Sequence, residues 1–175
     1  WLNYFNQYTY PGQPNQIKSV RVRPGGRGFS SGGYFSLAAN EALVVTLDAV
    51  GAKSLGIQIT DPWGVAYEYA NRTSSLNNMQ AKPNADGTYT FVVSSRDPGV
   101  YNWLDPEGHT GGLLAIRWQS LSAGAKPDSA LRNVQVLPIG GLKQAVPPET
   151  VFVTPAERKA QQAERLASYN RRLTE

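Results

Sequence analysis

The chain has 175 residues, a formal net charge of +4, no cysteine and a single histidine. This length fits one domain, or one domain with an appendage, and is enough to bury a core without covalent staples. The lack of cysteine excludes disulfides and thiolate metal sites but leaves the compartment open; no signal peptide is visible, and no apolar run approaches the roughly 18 residues of a membrane span.

In chain order, Trp1–Gln16 is polar and aromatic without helical or strand period, and reads as an extended arm. Pro24-Gly25-Gly26-Arg27-Gly28 and then Ser30-Ser31-Gly32-Gly33 have the composition of a flexible link, so residues 1–33 are assigned to an arm and glycine-rich linker. The link lacks the Lys-Ser/Thr ending of a phosphate-binding loop and opens no helix. Lys18, Arg21, Arg23 and Arg27 lie in a 40-residue stretch without an acid. They read as a solvated basic face or a subunit contact. Binding of a polyanion is a third reading, but no RNA-binding aromatic signature, helix-turn-helix or finger spacing accompanies them, so nucleic acid is not an expected partner.

Residues 34–148 read as strands. Leu43, Val45 and Leu47 alternate with Val44, Thr46 and Asp48; Leu55, Ile57 and Ile59 with Gly56, Gln58 and Thr60. Tyr89, Phe91 and Val93, then Leu114, Ile116 and Trp118, repeat the pattern, and Val134 and Val136 begin a shorter run. Period two with β-branched and aromatic residues suits a half-buried pleated surface. Asp61-Pro62-Trp63-Gly64, Ala85-Asp86-Gly87 and Asp97-Pro98-Gly99 supply turns between the runs. Several strands, regular turns and no intervening helical pattern predict an antiparallel sandwich or barrel.

Residues 149–175 change period. Thr154-Pro155-Ala156-Glu157 combines an N-cap, proline at the first helical position and glutamate three residues after the cap. Ala156, Ala160, Ala163 and Ala167, with Leu166, Tyr169 and Leu173, form a thin apolar stripe on the helix that follows, and Val146-Pro147-Pro148 makes a stiff link before it. The stripe is poorly buried by the helix alone, so this tail reads as a second arm, docking on a neighbouring subunit or companion domain.

Two loops hold the residues suited to chemistry. Arg96–His109 contains the histidine, three acids and a tryptophan; its carboxylates and imidazole suggest a divalent ion or an acid-oriented base. The spacing matches no established ligand motif, and aspartate before Pro-Gly ordinarily accepts backbone N–H groups of its own turn. Asn71–Gln80 is dense in amides and hydroxyls, suited to loop structure or to a small polar ligand, with Trp63, Tyr67 or Tyr69 as a stacking surface. A pocket between the two loops would be lined by Arg72, Asn77, Asp97, Asn102, Trp103, Asp105, His109 and Arg117. No catalytic residue is assigned, and no metal or cofactor is predicted.

Gly33-Tyr34-Phe35-Ser36-Leu37-Ala38, Glu41-Ala42-Leu43, Ser74-Ser75-Leu76-Asn77, Asp86-Gly87, the string Asp97-Pro98-Gly99 with Asn102-Trp103-Leu104-Asp105 and Gly108, and Leu114-Ala115-Ile116-Arg117-Trp118-Gln119 together resemble the family called domain of unknown function 1214. The resemblance covers about residues 30 to 120, and the tail is similar to the endings of bacterial members. It implies a jelly-roll-like sandwich and a frequent N-terminal companion, domain of unknown function 1254, but carries no assigned activity. The sequence-level expectation is therefore a mainly β, antiparallel, jelly-roll-like sandwich with an extended N-terminal arm and a C-terminal helix. As to function, it is a non-enzymatic binding or assembly module, a homo-oligomer subunit or the C-terminal part of a larger protein. The alternative is part of an enzyme or small-ligand site built from the 71–80 and 96–109 loops.

Overall fold

A computed structural model describes residues 12–174. Within them nine strands form two facing sheets. The first sheet contains β1 (Arg21–Val22), β2 (Phe29–Ser36), β4 (Ser54–Thr60), β5 (Ser75–Asn77) and β8 (Gly111–Gln119), in the order β1-β2-β8-β4-β5. The second contains β3 (Glu41–Leu47), β6 (Tyr89–Val93), β7 (Trp103–Leu104) and β9 (Leu131–Pro138), in the order β7-β6-β3-β9. Pairing is antiparallel except between β6 and β7. The chain changes sheet between β2 and β3, β3 and β4, β5 and β6, β7 and β8, and β8 and β9, so it is wound as the mainly β sandwich expected.

Alternation explains the core. Phe35, Leu55, Ile57, Ile59, Leu114, Ile116 and Trp118 from the first sheet meet Leu43, Val45, Leu47, Phe91 and Val93 from the second, all essentially without solvent exposure. The indole N–H of Trp118 would be costly to bury unpaired, and it donates to the Asp48 carbonyl over 2.8 Å. β3 departs from simple alternation. Ala42 and Val44 face away from the sandwich interior and are equally buried, because Ile139, Leu142, Val146 and Phe152 cover them together with Val100. A short helix α1 (Leu142–Ala145) belongs to this cover. β3 thus reads as an almost unbroken apolar run because both of its faces are dry.

The glycine-rich segment is not a hinge. β2 runs through Ser30-Ser31-Gly32-Gly33 and pairs with β8 along its whole length. Ile17 bridges Gly33, Lys18 N–H donates to the Gly32 carbonyl, and the Asn15 side chain both donates to and accepts from the Ser36 backbone. Glycine is required here for approach. A Cβ on Gly33 would stand 2.2 Å from the Gln16 carbonyl oxygen. Residues 15–36 form a hairpin with its turn at Pro24–Gly28, and the boundary expected after residue 33 falls inside a strand. Of the expected N-terminal arm, residues 1–11 lie outside the described residues.

The boundary expected after residue 148 is corrected too. The chain from Ile139 to Phe152 is packed on β3, and Val151 and Val153 hydrogen-bond with Tyr101 and Gly99. The helix α2 (Pro155–Thr174) follows directly. Its start is the expected capping box: Thr154 N–H donates to Glu157 Oε2 over 2.7 Å, and Glu157 N–H donates back to Thr154 Oγ1 over 3.3 Å. The bonds that its carboxylate accepts from the Thr154 N–H and hydroxyl hold the Glu157 carboxyl below its ordinary range.

A polar-docked helix and the cleft beneath it

The face of α2 that meets the sandwich is the polar one. Arg158 and Arg165, seven residues apart, lie on one helix face with Gln161. Arg158 is buried and donates from Nε to Asp97 Oδ2 over 2.8 Å, and to the carbonyls of Val100 and Tyr101. Its guanidinium carbon lies 5.2 Å from the Trp103 ring centre. Arg165 donates to the Tyr69 carbonyl over 2.6 Å, to the Ser75 carbonyl over 2.9 Å and to Ser75 Oγ over 3.0 Å. Ala156, Ala160, Ala163 and Ala167 are exposed, turned away from the sandwich. The helix is thus not a free arm: it lies on its own sandwich through the face opposite these alanines, which stay exposed. The cause is backbone accounting. The edge strand β5 and the Gly99–Tyr101 segment present carbonyls that need donors, and arginines supply them where apolar side chains would not.

Between α2, β5 and the end of β4 lies a cleft of about 390 Å³, bordered among others by Ile59, Tyr69, Ser75, Arg165, Tyr169 and Arg172. A second lobe of about 240 Å³ opens on the other side of Arg165, bordered by Thr73, Leu76, Lys82, Glu164, Arg165 and Arg171. Gln80, Arg165 and Ser168 border both lobes. Tyr69 and Tyr169 meet edge to face with ring centres 5.6 Å apart, and hydrogen bonding to Tyr69 raises the Tyr169 phenol above its ordinary pKa. Burial pushes the Arg165 guanidinium down from its ordinary value; the charge of Glu68 opposes this and that of Arg172 adds to it. The Glu68 carboxylate itself accepts from the N–H groups of Ala70 and Asn71.

The loop residues expected to line one pocket divide among several structural tasks. Arg72 Nη1 meets Asp105 Oδ2 at 2.8 Å and ties the two loops together; Asp105 is buried and also accepts from Glu107 N–H. Asn77 Oδ1 accepts from Met79 and Gln80 N–H in its own turn, and Asn77 also borders the larger lobe. Asp97 accepts from Gly99 N–H in its turn and pairs with Arg158. Asn102 is buried, accepting from Lys82 N–H and donating to the carbonyls of Lys82 and Thr90. Trp103 donates to the Ser94 carbonyl over 3.0 Å. His109 is exposed and stacks on Tyr67 at 5.5 Å, with no carboxylate bonded to it among the described residues. Arg117 lies elsewhere, exposed on β8 beside Lys18, Arg21 and Ser30. Of the expected lining only Asn77 borders the cleft. The loop at 71–80 does contribute to it, and the 96–109 loop adds Tyr101 to the smaller lobe, but α2 forms most of the opposite wall. Among the described residues no group of three His, Asp or Glu side chains is placed to hold a metal ion, and no helix is long and apolar enough to cross a membrane.

Arg165, Tyr169 and Arg172 were missed as site residues because the sequence reading of the helix followed its alanines. The signal for Arg165 was its spacing from Arg158. Seven residues bring two arginines to one face, and they share it with Gln161 rather than with a carboxylate.

No protein-family model matches the chain, and no curated protein matches it. Among solved structures it is similar to an uncharacterised protein from Burkholderia cenocepacia, with 31% identity over 75% of this chain and a TM-score of 0.58. The match covers 32% of that protein, so this chain spans about a third of its neighbour's length. A protein of Vibrio parahaemolyticus matches over 67% of this chain and 32% of its own, at 14% identity and a TM-score of 0.46.

Proposed function

We propose that this chain is a small-ligand-binding β-sandwich module of the domain of unknown function 1214 kind, and that it works as the C-terminal part of a larger protein. The observation that carries the binding reading is the two-lobed cleft under α2. It is roomy enough for a small molecule, has an aromatic wall at Tyr69 and Tyr169, and converges polar groups from two elements. Pockets of that make-up are the usual sites of small ligands. The 31% identity to about a third of a longer bacterial protein supports the place in a larger polypeptide. The motif string Asp97-Pro98-Gly99 with Asn102-Trp103-Leu104-Asp105 supports the family. In this structure it builds the turn that pairs with Arg158 of the helix, a buried amide and the Arg72–Asp105 loop tie.

A thermal-shift screen of the full chain with small neutral and charged compounds tests the binding reading. Saturable stabilisation that Tyr169→Ala abolishes is the expected result; no compound raising the midpoint removes the reading.

A second reading, assembly, is favoured by one feature. The exposed Ala156, Ala160, Ala163 and Ala167 make a smooth strip along α2 over which another chain's helix can approach closely. Light scattering on the full chain decides it. A monomer at all accessible concentrations removes self-assembly.

A further inference from the structure

We infer that the ligand of the cleft beneath α2 carries an oxyanion, a carboxylate or phosphate on a small organic body, held between Arg165 and Arg172; this rests on the cleft being a binding site. The charge around the cleft is lopsided. Its larger lobe is bordered by two arginines and by no aspartate or glutamate. Its smaller lobe adds Lys82 and Arg171, and one acid, Glu164. Closely spaced guanidiniums in a part-buried site repel each other, and the Arg172 charge does act on Arg165 in that sense. An anion between them removes that repulsion.

The hydrogen bonding of Arg165 points the same way. Of the five N–H donors a guanidinium carries, three are spent on uncharged acceptors: two carbonyls and the Ser75 hydroxyl. None goes to a carboxylate among the described residues. Arg158, one face-repeat earlier on the same helix, has Asp97. The arginine at the protein's own contact thus has a bonded carboxylate, whereas the one at the cleft has only the unbonded charge of Glu68 nearby. A second, independent feature lies in the smaller lobe. Thr73 borders it, is 1% exposed, and its hydroxyl has no hydrogen-bond partner. A buried unpaired hydroxyl is costly, and a ligand oxygen would satisfy it. The body of the ligand has the Tyr69–Tyr169 pair at the wall, a surface that suits carbon rather than a bare inorganic ion.

Isothermal titration of the full chain at fixed ionic strength tests this with four probes: inorganic phosphate, citrate, benzoate and neutral glucose, with chloride as the balancing ion. Binding of an oxyanion, with benzoate or citrate tighter than phosphate, is expected. Arg172→Gln removes a charge without touching the bonds that dock the helix, and weakens that binding by about tenfold. Arg165→Gln does the same, and circular dichroism shows whether the fold survives it. Oxyanion binding that both variants leave unchanged overturns the proposal, because the anion is then held elsewhere, for instance beside Lys18 and Arg117. Glucose binding without oxyanion binding also overturns it, yet leaves the cleft as a ligand site. If none of the four binds, both the anion proposal and the cleft reading fall.

Discussion

Arg158 on the C-terminal helix and Asp97 in the Asp-Pro-Gly turn form a bidentate pair, with Nε to Oδ2 at 2.8 Å and Nη2 to Oδ1 at 3.1 Å. The arginine side chain is 5% exposed and the aspartate 35%. The same guanidinium closes the carbonyls of Val100 and Tyr101 and covers the Trp103 ring. The helix buries little apolar surface, so this residue is its principal anchor. Arg158→Leu orphans buried carbonyl and carboxylate groups and is expected to lower stability by roughly 3 kcal/mol. Arg158→Lys keeps the charge but loses the planar fork, and recovers less than half of that. Urea midpoints of the three proteins measure the order. Equal midpoints would show that the helix is held by something else.

Glycine placement gives a cleaner comparison. Gly28 and Gly26 both have positive φ, +81° and +69°, so replacing either by alanine meets the same left-handed cost of about 1 kcal/mol. Their surroundings differ. A Cβ on Gly28 would lie 1.9 Å from the Trp118 carbonyl oxygen, whereas one on Gly26 meets nothing within 4 Å. Gly28→Ala must therefore shift backbone in the β2–β8 ladder. Its thermal midpoint should fall well below that of Gly26→Ala. If the two variants melt together, the hairpin turn has room that this packing denies.

Tyr67 makes stability depend on pH in the alkaline range. Burial first, then the charges of Asp61 and Glu107, push its phenol up to about 12. In the unfolded chain a tyrosine releases its proton near pH 10. Between those values the folded state holds a proton that the unfolded state has lost. The contribution is complete below about pH 10 and declines as pH rises towards about 12. Tyr169 shifts in the same direction, chiefly through its hydrogen bond to Tyr69. Urea unfolding at about pH 9 and about pH 11 should show a loss of stability that Tyr67→Phe reduces. A loss of the same size in the variant would assign the effect to other groups.

The residues that alternate were legible and those that close contacts were not. Leu55, Ile57 and Ile59, or Leu114, Ile116 and Trp118, announce strands because each buries one face only. Thr154 and Glu157 announce a helix start because the cap is local chemistry, complete within four residues. Gly32 and Gly33 mislead because the composition of a flexible link is also that of a strand over which another backbone passes closely. The alanines of α2 do not mark the face that meets the sandwich. That surface offers carbonyls, so arginines meet it and the alanines stay exposed. The cleft was half legible. The loop at 71–80 was recognised by its amides, whereas most of its other wall comes from residues 165–172, far along the chain and brought there by the Arg158–Asp97 pair and the bonds of Arg165 to Tyr69 and Ser75.

Thr73 and Thr150 separate a stability effect from a binding effect. Both hydroxyls are buried without a hydrogen-bond partner, and valine reproduces the shape of threonine without the uncompensated polar atom. Thr73→Val and Thr150→Val are each expected to raise stability by about 1 kcal/mol, read from urea midpoints. Only Thr73 borders the cleft. Its hydroxyl is a cost that a binding protein retains for its ligand, so Thr73→Val should bind the oxyanion more weakly while being the more stable protein. Thr150→Val should gain stability and leave the titration with citrate or benzoate unchanged. A Thr73→Val protein that is less stable than the parent would mean that the hydroxyl already has a partner in solution. Its buried position would then say nothing about a ligand.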